Sequence, residues 1–566
     1  MLALLLALAC NGAPPPQAVP SRHATGEVSP ALEAHSALFE RTVLTPVPGV
    51  HVAVGYALAN VIALEGPDGL VIVDTTESRT AAEEALAALR ERSDKPIAAV
   101  VLTHNHADHV FGGGVFTEAG LGDVPVWAHE DTEAGIDRVV NVVRDATAVR
   151  AARMFGTDLP VERVPNDGIG PGLRFAPDDI ALVRPTHTFR DRATLEAGGI
   201  TLELVHAPGE TDDQLFVWWP ERRVLLPADN IYEAFPNLYT IRGTPYRDLR
   251  GWVASLDAMR DLRPTTLVPQ HTRPLVGEAR VSETLTAYRD AIQYVHDQTV
   301  RGMNRGATPD ELAASIELPP HLAEHPWLQE HYGRVPWSVR AVYTGYLGWF
   351  DGDGSRLEPL PPADRAQRYI AAFSAGAPLP EQARAALEAG DATWAAELAR
   401  LWQQAEPEND SARALLAQTY EALAAGHHNP CAHHWYATQA AELRGDLTLS
   451  GPDPQAIDPT FLDTLPIDAF MRGMATRLKA EDTLDADLTV RFVFEDVDRT
   501  WVVHVRGGVA EVRERDAQAA VTIRTTAHAW RRLVARNEAA RAIRDGALSV
   551  EGDAIELMRF LSWFER

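Results

Sequence analysis

The stretch THNHADHVFGGG, Thr103–Gly114, places three histidines and an aspartate within six positions, His104 to His109, directly ahead of a glycine run. It follows PIAAVVL, an apolar run that reads as a fully buried strand whose C-terminal end delivers His104. The spacing is H-x-H-x-D-H. Because the chain must reverse direction here, His104 and His106 can turn toward one metal ion while Asp108 and His109 face a neighbour. Imidazole and carboxylate are ligands that divalent zinc accepts, and zinc sites with an open position are catalytic. A lone histidine carries no such meaning; four such groups at one strand end do. Gly112, Gly113 and Gly114 suit close passage of backbone near the site.

Upstream, HVAVGYALANVIALE, GPDG and LVIVDT read as a strand, a tight turn and a strand ending at Asp74. Helical periodicity follows in RTAAEEALAALRER, so a mixed sheet covered by helices is expected. Downstream, ITLELVHAP, QLFVWWP, RRVLLPAD and TTLVPQH read as further strands. Directly after such runs stand Glu210, with His206, Asp212 and Asp213 nearby, then Asp229 and His271. The polar groups therefore converge at one edge of the sheet.

From about Val281 the chain turns to long helices. In TPDELAASI, Thr308 can N-cap, Pro309 suits the first helical position and Glu311 completes a capping box. GDATWAAELARLWQQA and NDSARALLAQTYEALAAG extend the helical block, whose default role is packing or dimerisation. The linker GPDPQAIDPT leads into a small α/β segment, in which LTVRFVFED, RTWVVHVRGG, VAEVRE and AVTIRTT read as an antiparallel sheet with a hairpin at Gly507-Gly508 and two closing helices.

Composition narrows the function. With 566 residues the chain exceeds one hydrophobic core, and 46% apolar with 23% charged residues is the balance of a folded protein. A net charge of −27 without a long basic run speaks against nucleic-acid binding, because a phosphate backbone would be repelled. The excess acid reads as solvated helix faces. MLALLLALAC is too short to span a bilayer, which needs about 20 apolar residues. It resembles the end of a lipoprotein signal, with small residues ahead of a lipidated Cys10, although no Lys or Arg precedes the apolar run. That reading predicts a periplasmic or outer-membrane-attached protein tethered through Cys10; the alternative is a cytoplasmic one with a greasy N-terminus. The other cysteine is Cys431, so no disulfide framework exists.

H-x-H-x-D-H with later strand-end ligands resembles the metallo-β-lactamase-fold hydrolases. More narrowly, PGE at Glu210, LYTIRG, DAIQYVHDQTVRGMN and VRAVYTGYLGWFDG resemble the bacterial alkylsulfatase family over nearly the whole chain. The resemblance implies an α/β architecture: a metallo-β-lactamase αββα sandwich, an all-α dimerisation domain and a small α+β sterol-carrier-protein-like domain. The expected spans are 1–30 for the lead, 31–285 for the catalytic domain, 286–450 for the helical domain and 451–566 for the last.

The same resemblance implies two zinc ions, one held by His104, His106 and Glu210, the other by Asp108, His109 and His271, with Asp229 bridging. Asp74 matches an aspartate that orients the ligands, or else it is a helix N-cap. Asn237 and Arg242, five residues apart in FPNLYTIRG, match a pair that binds sulfate, arginine offering a planar fork to an oxyanion; a surface ion pair is the alternative for Arg242. Trp337 stands near the place of a sulfate-contacting histidine. The implied activity is cleavage of alkyl sulfate esters to alcohol and sulfate by water activated at the metals, in a homodimer. Other substrates for the same centre are another ester, a lactone or a phosphodiester. A different class of reading is lipid binding by the C-terminal segment with a vestigial metal site. Of Tyr343, Tyr346 and Trp349, two are expected in the core.

Overall fold

Alternation within strands explains how the first part of the chain folds. The structure, a computed structural model, describes residues 28–564 apart from 142, 174, 175, 177, 374, 375, 451–458 and 537–545. The Cys10 signal and most of the linker lie outside the described residues. Seven strands form one sheet in sequence order: β1 (Thr42–Leu44), β2 (Val50–Val54), β3 (Val61–Glu65), β4 (Leu70–Val73), β5 (Ile97–Val101), β6 (Val126–His129) and β7 (His187–Phe189). Six form another: β8 (Arg192–Ala197), β9 (Ile200–His206), β10 (Leu215–Trp219), β11 (Val224–Leu226), β12 (Thr266–Leu267) and β13 (Leu275–Val276).

Successive side chains of a strand point to opposite faces. Ile62, Leu64, Val71 and Val73 accordingly pack against Leu202, Leu204, Val217 and Leu226 of the other sheet. Their neighbours Val61, Ala63, Leu70 and Ile72 pack outward against Ala82, Ala85 and Leu89 of the helix Arg79–Arg90. On the far side, Phe216, Trp218 and Leu225 meet the helices Leu249–Asp261 and Glu278–Met303. Each such side chain contributes about 1.5–3 kcal/mol on burial. The result is a helix–sheet–sheet–helix sandwich.

Topology brings the candidate ligands together. β4 and β5 run parallel, so Asp74 and His104 leave the same edge. β9 and β11 are both antiparallel to β10, and β11 is parallel to β12, so Glu210, Asp229 and His271 leave one edge too. The Leu215 amide donates to the Thr103 carbonyl at 3.0 Å, joining the sheets at that edge.

Several expectations change. HVAVGYALANVIALE is two antiparallel strands, because Gly55 (φ 81°) breaks the run. The helix Glu278–Met303 runs through the boundary expected at 285, its buried face belonging to the catalytic core. Thr308 and Glu311 form the capping box. The helices Ala392–Ala405, Asp410–Gly426 and Pro430–Arg444 follow, the last tied to the catalytic domain by the Arg153–Glu442 ion pair at 2.8 Å.

The last sheet contains β14 (Asp487–Phe494), β15 (Arg499–Arg506), β16 (Val509–Glu514), β17 (Val521–Thr525) and β18 (Leu548–Gly552) in the order β16-β15-β14-β17-β18. It is not wholly antiparallel. β17 crosses over to the free edge of β14 and pairs with it in parallel, while Gly507 and Gly508 turn the β15–β16 hairpin with positive φ. Tyr343 alone of the three aromatics is buried; Trp349 is exposed, and Tyr346 is half exposed although its hydroxyl lies 2.9 Å from His296 Nε2 and its ring meets that of Tyr246.

Candidate metal centre

After β5 the chain turns through Asn105, and a short helix, Ala107–Val110, presents Asp108 and His109. Ligand atoms of His104, His106 and Asp229 lie within 4.8 Å of one another, as do those of Asp108, His109 and His271. Asp229 Oδ2 stands between the two groups, 3.7 Å from His104 Nε2, 3.4 Å from His109 Nε2 and 3.2 Å from His271 Nε2. Asp108 Oδ2 is 3.4 Å from His109 Nε2 and 3.5 Å from His271 Nε2. Glu210 is set apart. Its Oε1 is 3.9 Å from His106 Nδ1 but only 3.0 Å from the Arg247 guanidinium, the nearer cation for a buried carboxylate.

These residues fit divalent metal ions. His109 Nε2 and Asp229 Oδ1 are buried and have no hydrogen-bond partner, an expensive state that a metal relieves. Burial, with the positive charge of His109 against His104 and of Arg242 and Arg247 against His106, holds both imidazoles well below their ordinary pKa, in the neutral form that ligates. Burial alone would push Asp108 up; His109 and His271 outweigh it and bring the carboxyl down to about 2. Burial likewise disfavours a charged His109, yet Asp229, Asp108 and Asp74 together hold it high. So many carboxylates demand a cation here.

Asp74 is fully buried and does not cap a helix; Ser78 caps Arg79–Arg90. Its Oδ1 accepts from the Thr103 amide at 2.8 Å, and its Oδ2 accepts from Thr103 Oγ1 and lies 2.9 Å from His109 Nδ1. Such partners fix imidazole orientation. His271 is held the same way, its Nδ1 2.9 Å from the Leu58 carbonyl, while Asn60 Nδ2 donates to the carbonyls of Pro269 and Thr272 and fixes the loop. His206 bonds the Asp212 carbonyl and Asp213 bonds Asn105, so none of the three joins either group.

Arg242 Nη2 is 3.3 Å from His106 Nε2, at the centre rather than in a surface ion pair. Arg150 holds it there by donating to the carbonyls of Ile241 and Arg242. Asn237 is buried, and neither atom of its side-chain amide has a hydrogen-bond partner. Beside them an apolar wall of Leu58, Ile169, Tyr232, Tyr332 and Cys431 includes part-buried Trp337. Arg150, Arg247 and Tyr232 carry no sequence signal; only the folded chain brings them in.

Relatives give this geometry a family. Residues 54–271 match the model of the metallo-beta-lactamase superfamily, 308–446 that of alkyl sulfatase dimerisation and 455–566 that of the alkyl sulfatase C-terminal domain. A linear primary-alkylsulfatase of a Pseudomonas species is 36% identical over 519 residues, 89% of this chain and 98% of the relative. The chain belongs to the alkylsulfatase family. An (R)-specific secondary-alkylsulfatase, also from a Pseudomonas species, shares 31% identity with this alkylsulfatase-family chain over 91% of it and 79% of the relative. The solved structure of a stereoselective inverting sec-alkylsulfatase from Pseudomonas superposes with a TM-score of 0.87 at 29% identity, covering 95% of this chain and 87% of the other.

Proposed function

We propose that the protein hydrolyses alkyl sulfate esters to an alcohol and inorganic sulfate at a centre of two zinc ions. The observation that carries the reading is the pair of three-residue ligand groups sharing Asp229 Oδ2, with Arg242 against one of them. His104, His106 and Asp229, bordered by Glu210, would hold one ion; Asp108, His109 and His271 the other. Bound zinc supplies acidified water, whose pKa falls from 15.7 to about 7 in the best-known case.

The chain's own residues do the rest. Arg242 offers its fork and Asn237 its free amide to the sulfate oxygens, where charge builds on the leaving group. The buried wall of Leu58, Ile169 and Tyr332 keeps water away from that side of the centre. Trp337, placed in that wall, adds apolar surface where a histidine would add a donor. The intact donor set argues against a vestigial site.

The test is sulfate release from dodecyl sulfate by purified protein, with metal content measured on the same sample. Two zinc equivalents, with release abolished by chelation, support the reading. Two metals without release shift the substrate to a phosphodiester, a lactone or another ester.

Further parts of the reading have their own support. A homodimer is favoured by the match to the dimerisation model and by exposed Leu347, Trp349, Tyr369 and Phe373; light scattering tests it. An exported lipoprotein rests on the sequence around Cys10, and globomycin-sensitive processing tests it. A lipid site in the C-terminal domain, on the reading of that domain as sterol-carrier-protein-like, is supported by exposed Ile555 and Met558, and uptake of a fluorescent fatty acid tests it.

A further inference from the structure

Glu210 and Asn237 come from different loops, yet both are gripped by the same two side chains. Arg247 directs Nη2 at Glu210 Oε1, 3.0 Å away, and Nη1 donates to the Asn237 carbonyl. The Tyr232 hydroxyl accepts from the Asn237 main-chain amide at 2.9 Å and donates to Glu210 Oε2 at 3.5 Å. The four residues close a ring. Glu210 Oε1 meets Arg247 as an ion pair and Oε2 accepts from Tyr232, while the carbonyl and amide of Asn237 bond Arg247 and Tyr232 in turn.

All four are almost completely buried. A guanidinium is taken out of water at high cost, and two anchors 27 residues apart in sequence are an unusual use of one unless their relative position matters. A flat, five-donor guanidinium can hold two acceptors in fixed geometry, whereas an ammonium acts as a point charge. On its other side the Asn237 main chain is pressed against Gly333, where an added Cβ would lie 1.9 Å from the Pro236 carbonyl oxygen and 2.9 Å from Asn237 Cα. With its main chain fixed on every side, Asn237 still has a side-chain amide without a partner.

We propose that Arg247 and Tyr232 are positioning residues that lock the Glu210 carboxylate to the main chain of Asn237, so that the metal-binding edge and the sulfate-binding loop move as one unit. The proposal rests on the hydrolase reading above, in which Glu210 borders one metal and Asn237 meets sulfate. It adds a linkage: anything that weakens metal at the Glu210 side weakens sulfate binding, and the converse holds by reciprocity. Arg247 also supplies the positive charge that balances a glutamate at a position where an imidazole would need none.

The experiment compares wild-type holoenzyme with Arg247→Gln, Arg247→Lys and Tyr232→Phe. Two constants are measured for each: zinc dissociation against a chromophoric chelator, and inhibition of dodecyl sulfate turnover by inorganic sulfate. Arg247→Gln is expected to release one of two zinc equivalents about 10–100-fold more readily. In the same variant sulfate inhibition should weaken by about tenfold, with KM rising more than kcat falls. Arg247→Lys should recover zinc affinity through its charge but not sulfate affinity, since it cannot span both anchors.

Should Arg247→Gln fail to fold, Tyr232→Phe carries the test, with smaller changes of the same sign in both constants. Variants that lose only thermal stability, with both constants within about twofold of wild type, overturn the clamp. A wild-type protein that binds no zinc, or binds it and releases no sulfate, overturns the sulfatase reading and the clamp with it; a competent wild type with unchanged variants overturns the clamp alone.

Discussion

Replacing Asp74 by asparagine changes one atom, and the structure gives its consequence in detail. Asp74 has φ 60°, a left-handed conformation that asparagine tolerates better than any other non-glycine residue, so the backbone accepts the change. The carboxylate serves three groups: the Thr103 amide through Oδ1, and Thr103 Oγ1 and His109 Nδ1 through Oδ2. In Asp74→Asn the oxygen of the new side-chain amide must stay on the Oδ1 side, because the Thr103 N–H can only donate. The NH2 group then faces Thr103 Oγ1, which can rotate to accept, and His109 Nδ1, which must become an acceptor. The proton of His109 moves to Nε2, the atom facing Asp108, Asp229 and His271.

A protonated Nε2 does not ligate, so Asp74→Asn should weaken the metal held with Asp108 and His271 by about 10–100-fold, or about 1.4–2.7 kcal/mol. The His104–His106 side should be much less affected. The assay is competitive zinc titration, with a thermal melt of the metal-free protein as the control for folding. Asp74→Ala should instead lower that melt, since it strands buried donors at about 1–3 kcal/mol each and puts alanine at positive φ. If Asp74→Asn retains both zinc equivalents with wild-type affinity, Asp74 does not set the His109 tautomer and the reasoning fails.

Other predictions follow from the same geometry. Arg242→Ala should cut turnover of dodecyl sulfate by about 10²–10³, the cost of one oxyanion donor, and hydrolysis of an uncharged ester far less; equal losses would refute its role at sulfate. Chelation should lower the thermal midpoint, since each ion present at 100 times its dissociation constant stabilises by about 2.7 kcal/mol; an unchanged midpoint would mean that no ion binds the folded state preferentially. Where the segment ahead of β1 meets the chain just before the helix Val335–Leu347, the His35 and His331 rings stack at 3.8 Å, and burial, aided by the charge of His35 and His428, lowers the pKa of His331 from 6.5 to about 4. Between pH 6.5 and about 4 the unfolded chain therefore binds more protons than the folded one. The contribution of His331 is complete above pH 6.5 and is lost as pH falls through this window. Discounted for partial exposure it amounts to about 1–2 kcal/mol, and His331→Gln should flatten that part of the stability–pH curve.

The sequence makes one half of this site readable and hides the other for a single physical reason. A buried strand announces itself by composition, and a chain leaving a sheet edge must place its next residues at that edge. His104, Asp229 and His271 are therefore assigned to one place by pattern alone, because each follows an apolar run. Pairing is a different matter. β17 reads as a strand as plainly as β16, but nothing local to it says that it returns to β14 in parallel. Tyr346 and Trp349 read as core because aromatic residues at helical spacing usually are; whether a helix face is covered depends on elements elsewhere in the chain.

The same holds for Arg247 and Tyr232. An arginine in TPYRDLR looks like any exposed arginine, and its burial follows only once the loop from Asn237 to Arg242 folds over Glu210. Ligands lie where strands end, so local pattern finds them. The groups that hold those ligands to one another bridge separate loops, and tertiary structure alone assigns them. Mutations at Arg247 should consequently act on two constants at once, whereas mutations at His104 or His271 should act first on metal.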